Sequence, residues 1–193
     1  MARPASFDRE QVLERATATF WDHGYCATSI SQLVDATRLQ PGSLYAAFES
    51  KQGLFLAVLD HYAGRTLQRL ERQLARATDP LRGVDAFFAE LAGQGGDARR
   101  RGCLLVNSAL EVGRSDPAIQ AHVSHHLAAI EQRLCAALER AQTDGLLAAD
   151  ASPAVLAKFL MTTIWGLRVL GSTGADARTM KQVVAQALRV LRD

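Results

Sequence analysis

Three times in this 193-residue chain an N-capping side chain stands directly before a proline: Asp79-Pro80, Asp116-Pro117 and Ser152-Pro153. A proline at the first position of a helix sacrifices nothing, because that amide has no partner inside the helix, while the Asp or Ser oxygen takes another of the free amides. Each pair predicts a helix start. After the second of them, Ile119, Val123, Leu127, Ile130, Leu134 and Leu138 recur every three or four positions over about seven turns. Boundaries throughout are written in caps rather than in strand alternation, so the chain is expected to be all-α.

The remaining helices follow the same logic. Asp8 and Gln11 read as a capping box, with Phe7 and Val12 placed for a hydrophobic staple, ahead of an apolar face of Val12, Leu13, Ala16 and Phe20 and a stop at Gly24. Ser50 precedes a helix from about 51 to 78. The last two helices are expected over Pro153–Gly171 and Asp176–Arg192. The first of these is apolar on more than one face, which predicts a partner chain on the second face. A glycine-rich loop, residues 92–102, is expected between two helices.

Composition narrows the class. With 48% apolar residues the chain can fill a core. Cys26, Cys103 and Cys135 are odd in number, far apart and without CxxC spacing, so neither a disulfide framework nor a zinc knuckle is expected. The start lacks an apolar leader, and Lys158 and Arg168 interrupt the most hydrophobic segment, so a cytoplasmic chain without a membrane span is expected. Residues 1–51 carry five Lys/Arg against six Asp/Glu, a formal −1, and bulk charge gives this segment no nucleic-acid signature.

The segment "TSISQLVDATRLQPGSLYAAF", from Thr28 to Phe48, supplies what charge does not. Ser29 and Gln32 form a second capping box, Ile30, Leu33 and Val34 make a helix of about two turns, "ATRLQ" turns the chain, and Pro41 starts another short helix. Two short helices and a tight turn make a helix-turn-helix. In its second helix Leu44 and Phe48 face inward, while Gln40, Ser43, Tyr45 and Ala47 present small or hydrogen-bonding groups outward, suited to a major groove. Lys51, beside the N-cap Ser50, is placed to reach a phosphate. The basic arm residue Arg3 leaves open a minor-groove contact.

The framework Phe…Gly-Tyr…Thr-Ser…Leu-Tyr…Phe…Ser-Lys…Leu-Phe in "FWDHGYCATSISQLVDATRLQPGSLYAAFESKQGLF" resembles the TetR family of bacterial repressors over about residues 7–59. That resemblance implies a three-helix DNA-binding module, residues 1–51, followed by a helical effector-binding and dimerisation domain, residues 52–193. It further implies a homodimer through Pro153–Gly171 and Asp176–Arg192, a palindromic double-stranded operator, and an unknown small-molecule effector. Carried over by position, Thr28 and Ser29 look like the start of the supporting helix, Gln40, Ser43 and Tyr45 like recognition contacts, and Lys51 like the phosphate anchor. Ala46 and Ala47 stand where many members carry aromatic or histidine side chains.

The effector pocket is expected to draw its walls from Tyr62, Phe87, Phe88, Leu91, Leu104, Leu105, Phe159, Met161 and Trp165, with Asn107, Thr162 and Thr163 as sparse polar groups. Cys103, after Arg99, Arg100 and Arg101 at a helix start, has two readings: a thiol activated by cationic neighbours, or a small buried hydrophobe. The segment also resembles the "GCL…N" stretch of a TetR subgroup that includes oxidant-responsive members. His122, His125 and His126 share a helical face with metal-ligand spacing, but on a solvent-facing turn they read as polar filler, and no metal or cofactor is expected. Two other classes stand beside the regulator: a helical dimerisation scaffold without DNA, and an enzyme built on Cys103, the histidines and Glu111. The enzyme has no GxSxG, HExxH, P-loop or dinucleotide fingerprint to organise it.

Overall fold

The structure, a computed structural model, describes residues 7–192. The arm 1–6, with Arg3, lies outside the described residues. Among the described residues every regular element is helical: α1 (Arg9–His23), α2 (Ile30–Thr37), α3 (Pro41–Phe48), α4 (Lys51–Arg76), α5 (Pro80–Gly93), α6 (Gly96–Arg100), α7 (Leu104–Val112), α8 (Pro117–Thr143), α9 (Pro153–Ser172) and α10 (Ala177–Ala187), closed by a 3₁₀ turn at Leu188–Leu191.

The caps act as their chemistry requires. Asp8, Asp79, Ser152 and Asp176 each accept from the amide three residues on, at 3.1, 2.9, 3.4 and 2.7 Å. Asp116 accepts from the Ala118 and Ile119 amides, both at 3.1 Å. Two expectations change. The glycine-rich loop holds a short helix, α6, in which Arg100 pairs with Asp97 at 2.6 Å and holds that carboxyl below its ordinary pKa. The last helix tightens to 3₁₀ winding after Ala187, because three residues per turn line up Leu188 and Leu191 on the same buried side.

The chain divides into two compact units. The first comprises residues up to Gly64 with Leu104–Ser124, so the unit holding the helix-turn-helix runs past residue 51 and takes in α7 and the start of α8. Its core is aromatic: Phe20 meets Phe55 edge-on at 4.8 Å, Tyr25 lies 4.7 Å from Phe55, and Trp21 meets Tyr62 edge-on at 5.0 Å. Leu33, Leu44 and Phe48 close this core beneath α2 and α3.

The second unit comprises Arg65–Cys103 and His125 onward. Phe87 and Phe88 of α5, Leu134 and Leu138 of α8, and Leu160 and Ile164 of α9 belong to one continuous apolar core. Lys158 pairs with Glu131 at 2.6 Å, and Arg192 pairs with Asp85. Helices α4 and α5 approach so closely that a Cβ on Gly83 would lie 2.8 Å from Leu74 Cα. Gly83→Ala is therefore expected to cost about 1–3 kcal/mol and lower Tm by several degrees, since backbone rather than a flexible side chain must yield. An unchanged melting curve would show that the two helices separate freely.

Candidate nucleic-acid interface

The helix-turn-helix is assembled from local chemistry. Ser29 closes both halves of its capping box: its oxygen accepts from the Gln32 amide at 3.1 Å, and its own amide donates to Gln32 Oε1 at 2.7 Å. Arg38 takes a left-handed conformation to end α2, and the buried Thr37 hydroxyl braces the turn by donating to the Leu33 carbonyl at 2.6 Å. Pro41 then starts α3 at its first position.

Helix α3 has two unlike faces. Leu44 and Phe48 are buried, whereas Gln40 is exposed and its side chain makes no cap hydrogen bond. Ser43 is half-buried and Tyr45 is 45% exposed, an unusual position for an aromatic ring with no partner face to cover it. Ala46 is exposed and Ala47 half-buried, so the backbone can come close to a surface.

Two of the expected contact residues also have partners inside the protein. Thr28 is 2% exposed and its hydroxyl donates to the Gly24 carbonyl at 2.5 Å, so the side chain stabilises the turn instead of facing solvent. Lys51 is half-buried: its Nζ sits 4.7 Å above the Tyr25 ring and 3.4 Å from the Cys26 carbonyl, and its charge is thereby held over the α1–α2 turn.

A third feature was not legible from the sequence. Glu111, at the end of α7, accepts from the Tyr25 amide at 2.9 Å and from the Cys26 amide at 2.8 Å, one carboxylate oxygen to each. Gly24 makes room, since a Cβ there would stand 2.8 Å from Glu111 Oε1, and its φ of +79° suits glycine in any case. Gln52 adds a second tie, donating to Asp116 Oδ2 at 2.7 Å. No signal 85 residues away marks Glu111 as a partner of this turn. Partial desolvation and the Glu111 carboxylate hold the exposed Cys26 thiol above its ordinary pKa, against the pull of Lys51.

The residues expected to wall an effector pocket fall in both units. In the first unit Tyr62 is buried against Trp21, and Asn107 is exposed on α7. In the second, Phe88 is sealed in the core and Trp165 is half-buried with its indole Nε1 unpartnered among the described residues. Thr162 is exposed, and its hydroxyl donates to the Lys158 carbonyl, because it falls outside the inward stripe of Ala157, Leu160, Met161 and Ile164. Cys103 is 8% exposed and lies directly before α7. His122 meets Asp60 at 2.7 Å, while His125 and His126 face each other edge-on at 5.5 Å.

Phe159, expected in a pocket wall, and Thr163, expected among its polar groups, lie along an open groove between α9 and α10 with Gly166, Leu170, Val183 and Ala187. Phe159 is 43% exposed and Val155 and Val169 more so. Helix α9 is long and apolar enough to cross a membrane by length and composition alone, but here one side packs into the core and the other lines this groove.

Known proteins share this arrangement over nearly its whole length. Residues 12–58 match the model of bacterial regulatory proteins of the tetR family, and residues 80–187 match a tetracycline repressor-like C-terminal domain. The chain is 32% identical over 190 residues to the HTH-type transcriptional repressor ComR of Escherichia coli K12, covering 97% of this chain and 90% of ComR. It is similar to a cysteine-substituted form of the regulator CifR solved with a 26-bp double-strand operator, with a TM-score of 0.88 and 34% identity, covering 98% of this chain and all of that one. The reduced form of Escherichia coli NemR shares the fold at 19% identity, with a TM-score of 0.83 over 95% of this chain and 97% of its own. A capped helix-turn-helix with a hydrogen-bonding outer face, matched by one family model, and a helical C-terminal segment matched by the other place this chain in the TetR family of helix-turn-helix transcriptional regulators.

Proposed function

We propose that this regulator is a cytoplasmic repressor: a homodimer that docks the outer face of α3 in successive major grooves of a palindromic operator and lets go when a small molecule occupies its body. The observation that carries the reading is the division of α3 into a buried face, Leu44 and Phe48, and an uncovered one bearing Gln40, Ser43 and Tyr45. ComR is named a repressor and CifR was solved on operator DNA, which supports the same role here. Ser29 and Lys51 flank that face, and the free amides at the start of α2 and α4 add anion affinity. Thr28 contributes by bracing the turn.

Two such modules related by a twofold axis read half-sites about 34–36 Å apart, or a multiple of that distance. Effector control is a shift between two populations of the dimer, which requires that the effector bind them with different affinity. Cys103 is buried, so we assign it packing and place control on a ligand rather than on thiol modification. The enzyme reading loses its carboxylate as well, because Glu111 is committed to the Tyr25 and Cys26 amides.

Tyr45→Ala is expected to weaken operator binding about tenfold with the fold intact, and Lys51→Ala to weaken it uniformly across sequences while reducing the salt slope by about one. The measurement is operator affinity against salt concentration, using DNA upstream of this chain's own gene. Full affinity in both variants would remove the α3 surface from the reading. Salt-independent behaviour in the wild type would favour the dimerisation scaffold.

A further inference from the structure

Residues 40–48, which hold α3 and its N-cap, include no Lys, Arg, Asp or Glu. A duplex carries one negative charge per about 1.7 Å of its axis, so affinity requires cations close to this face. Residues 1–51 hold only five, at positions 3, 9, 15, 38 and 51, and Glu10, Asp35 and Glu49 are exposed in the same segment. Arg3 lies outside the described residues, Arg15 is half-buried, and Lys51 is held over the Tyr25 ring. Arg9 and Arg38 are exposed, and they stand at opposite ends of α3.

Arg9, the first residue of α1, lays its guanidinium carbon 4.7 Å from the centre of the ring of Phe48, the last residue of α3. A cation over a ring is held by the ring's quadrupole, not by a hydrogen bond, so the N–H fork that fits a phosphate stays unspent. Among the described residues Arg9 has no side-chain hydrogen bond or ion pair, and the neighbouring Asp8 carboxylate is committed to the Gln11 amide at 3.1 Å. Phe48 is 5% exposed and anchors this perch from the core.

Arg38 stands two residues before the N-cap Gln40. It ends α2 at a φ of +60°, a conformation that glycine takes freely and a residue with a Cβ takes under strain. Its amide donates to the Val34 carbonyl at 2.8 Å, while its side chain has no partner among the described residues. A long cation at a strained position points to a use for that cation. The eight residues of α3, at 1.5 Å each, span about 12 Å, and the major groove is about 12 Å wide. Cations at its two ends are spaced to meet backbone phosphates while the middle of the helix meets bases.

We infer that Arg9 and Arg38 form a phosphate clamp on operator DNA, one at each end of α3, with Arg9 held in place by Phe48. The clamp rests on the docking of α3 proposed above, and it names the cations that supply affinity to a segment whose formal charge is −1.

The test uses the full chain and DNA upstream of its own gene, with affinity followed from about 50 to about 200 mM salt. Arg9→Gln and Arg38→Gln are each expected to weaken binding at least about tenfold and to reduce the salt slope by about one per half-site, about two for a dimer. Arg9→Lys and Arg38→Lys should restore the slope, since a phosphate also accepts a point charge. Thermal melting checks that each variant folds. Arg140→Gln, which removes an exposed charge from the second unit, should leave the slope unchanged. An unchanged slope in either glutamine variant overturns the clamp, because a residue that only steadies the fold alters affinity without altering counterion release. Failure of the lysine variants to restore the slope overturns it too, and an equal loss in Arg140→Gln assigns the effect to net charge instead. In each of these cases steep salt dependence in the wild type keeps the docking reading standing. Wild-type binding without salt dependence sinks that reading and the clamp with it.

Discussion

Phe159→Asp is expected to convert the dimer to monomers and to lower operator affinity by about 10²–10⁴-fold, the advantage that two linked modules hold over one. Phe159 stands 43% exposed in the groove that α9 and α10 form, and Val155, Val169 and Val183 extend the same apolar surface. On a twofold axis the change places two carboxylates in one interface, each costing about 3–5 kcal/mol if buried without a partner. Because Phe159 projects away from the core of its own unit, melting of the isolated monomer should change little. Sedimentation analysis checks the first effect and operator titration the second. A variant that stays dimeric would place the interface on another face.

The second large effect is expected from Glu111→Ala. Its carboxylate makes two charge-assisted hydrogen bonds to consecutive backbone amides just ahead of Thr28 and Ser29, where α2 begins. Each such bond contributes about 1.5–3 kcal/mol when sheltered, but Glu111 is exposed, so a total near 1–3 kcal/mol is the better expectation. The loss should lower operator affinity about tenfold, because α2 and α3 then sample orientations that do not fit the groove. Glu111→Gln should behave almost as badly, since its NH₂ group would face an amide N–H. Hydrogen exchange at Tyr25 and Cys26 is the discriminating readout: faster exchange at these amides with weaker operator binding marks a positioning residue. Operator affinity within twofold of wild type in both variants would reduce the clamp to a local ornament of the turn.

These two residues mark the border between what a sequence can and cannot announce. Caps, prolines and glycines act over three or four residues, so Asp79, Asp116, Ser152 and Ser29 announced their helices without reference to anything distant. The inward pair Leu44 and Phe48 followed from helical spacing, and with it the outward set on α3. Spacing also showed that α9 has a second apolar face, although not which residues of α10 share a groove with it. The hydroxyl of Thr28 looked available in the sequence and is spent on the Gly24 carbonyl, a bond set by the fold of one turn.

What the sequence by itself determined is therefore the helical class, the helix starts and the helix-turn-helix with its two faces, because each is governed by groups within one or two turns of chain. Only the tertiary structure decided that Glu111 clamps the turn before α2, that Asn107 and Thr162 face solvent, and that Arg168 reaches Gln94. Those facts depend on contacts between residues about 70 to 85 positions apart, or on which side of a helix a neighbour happens to cover, and no local preference encodes either.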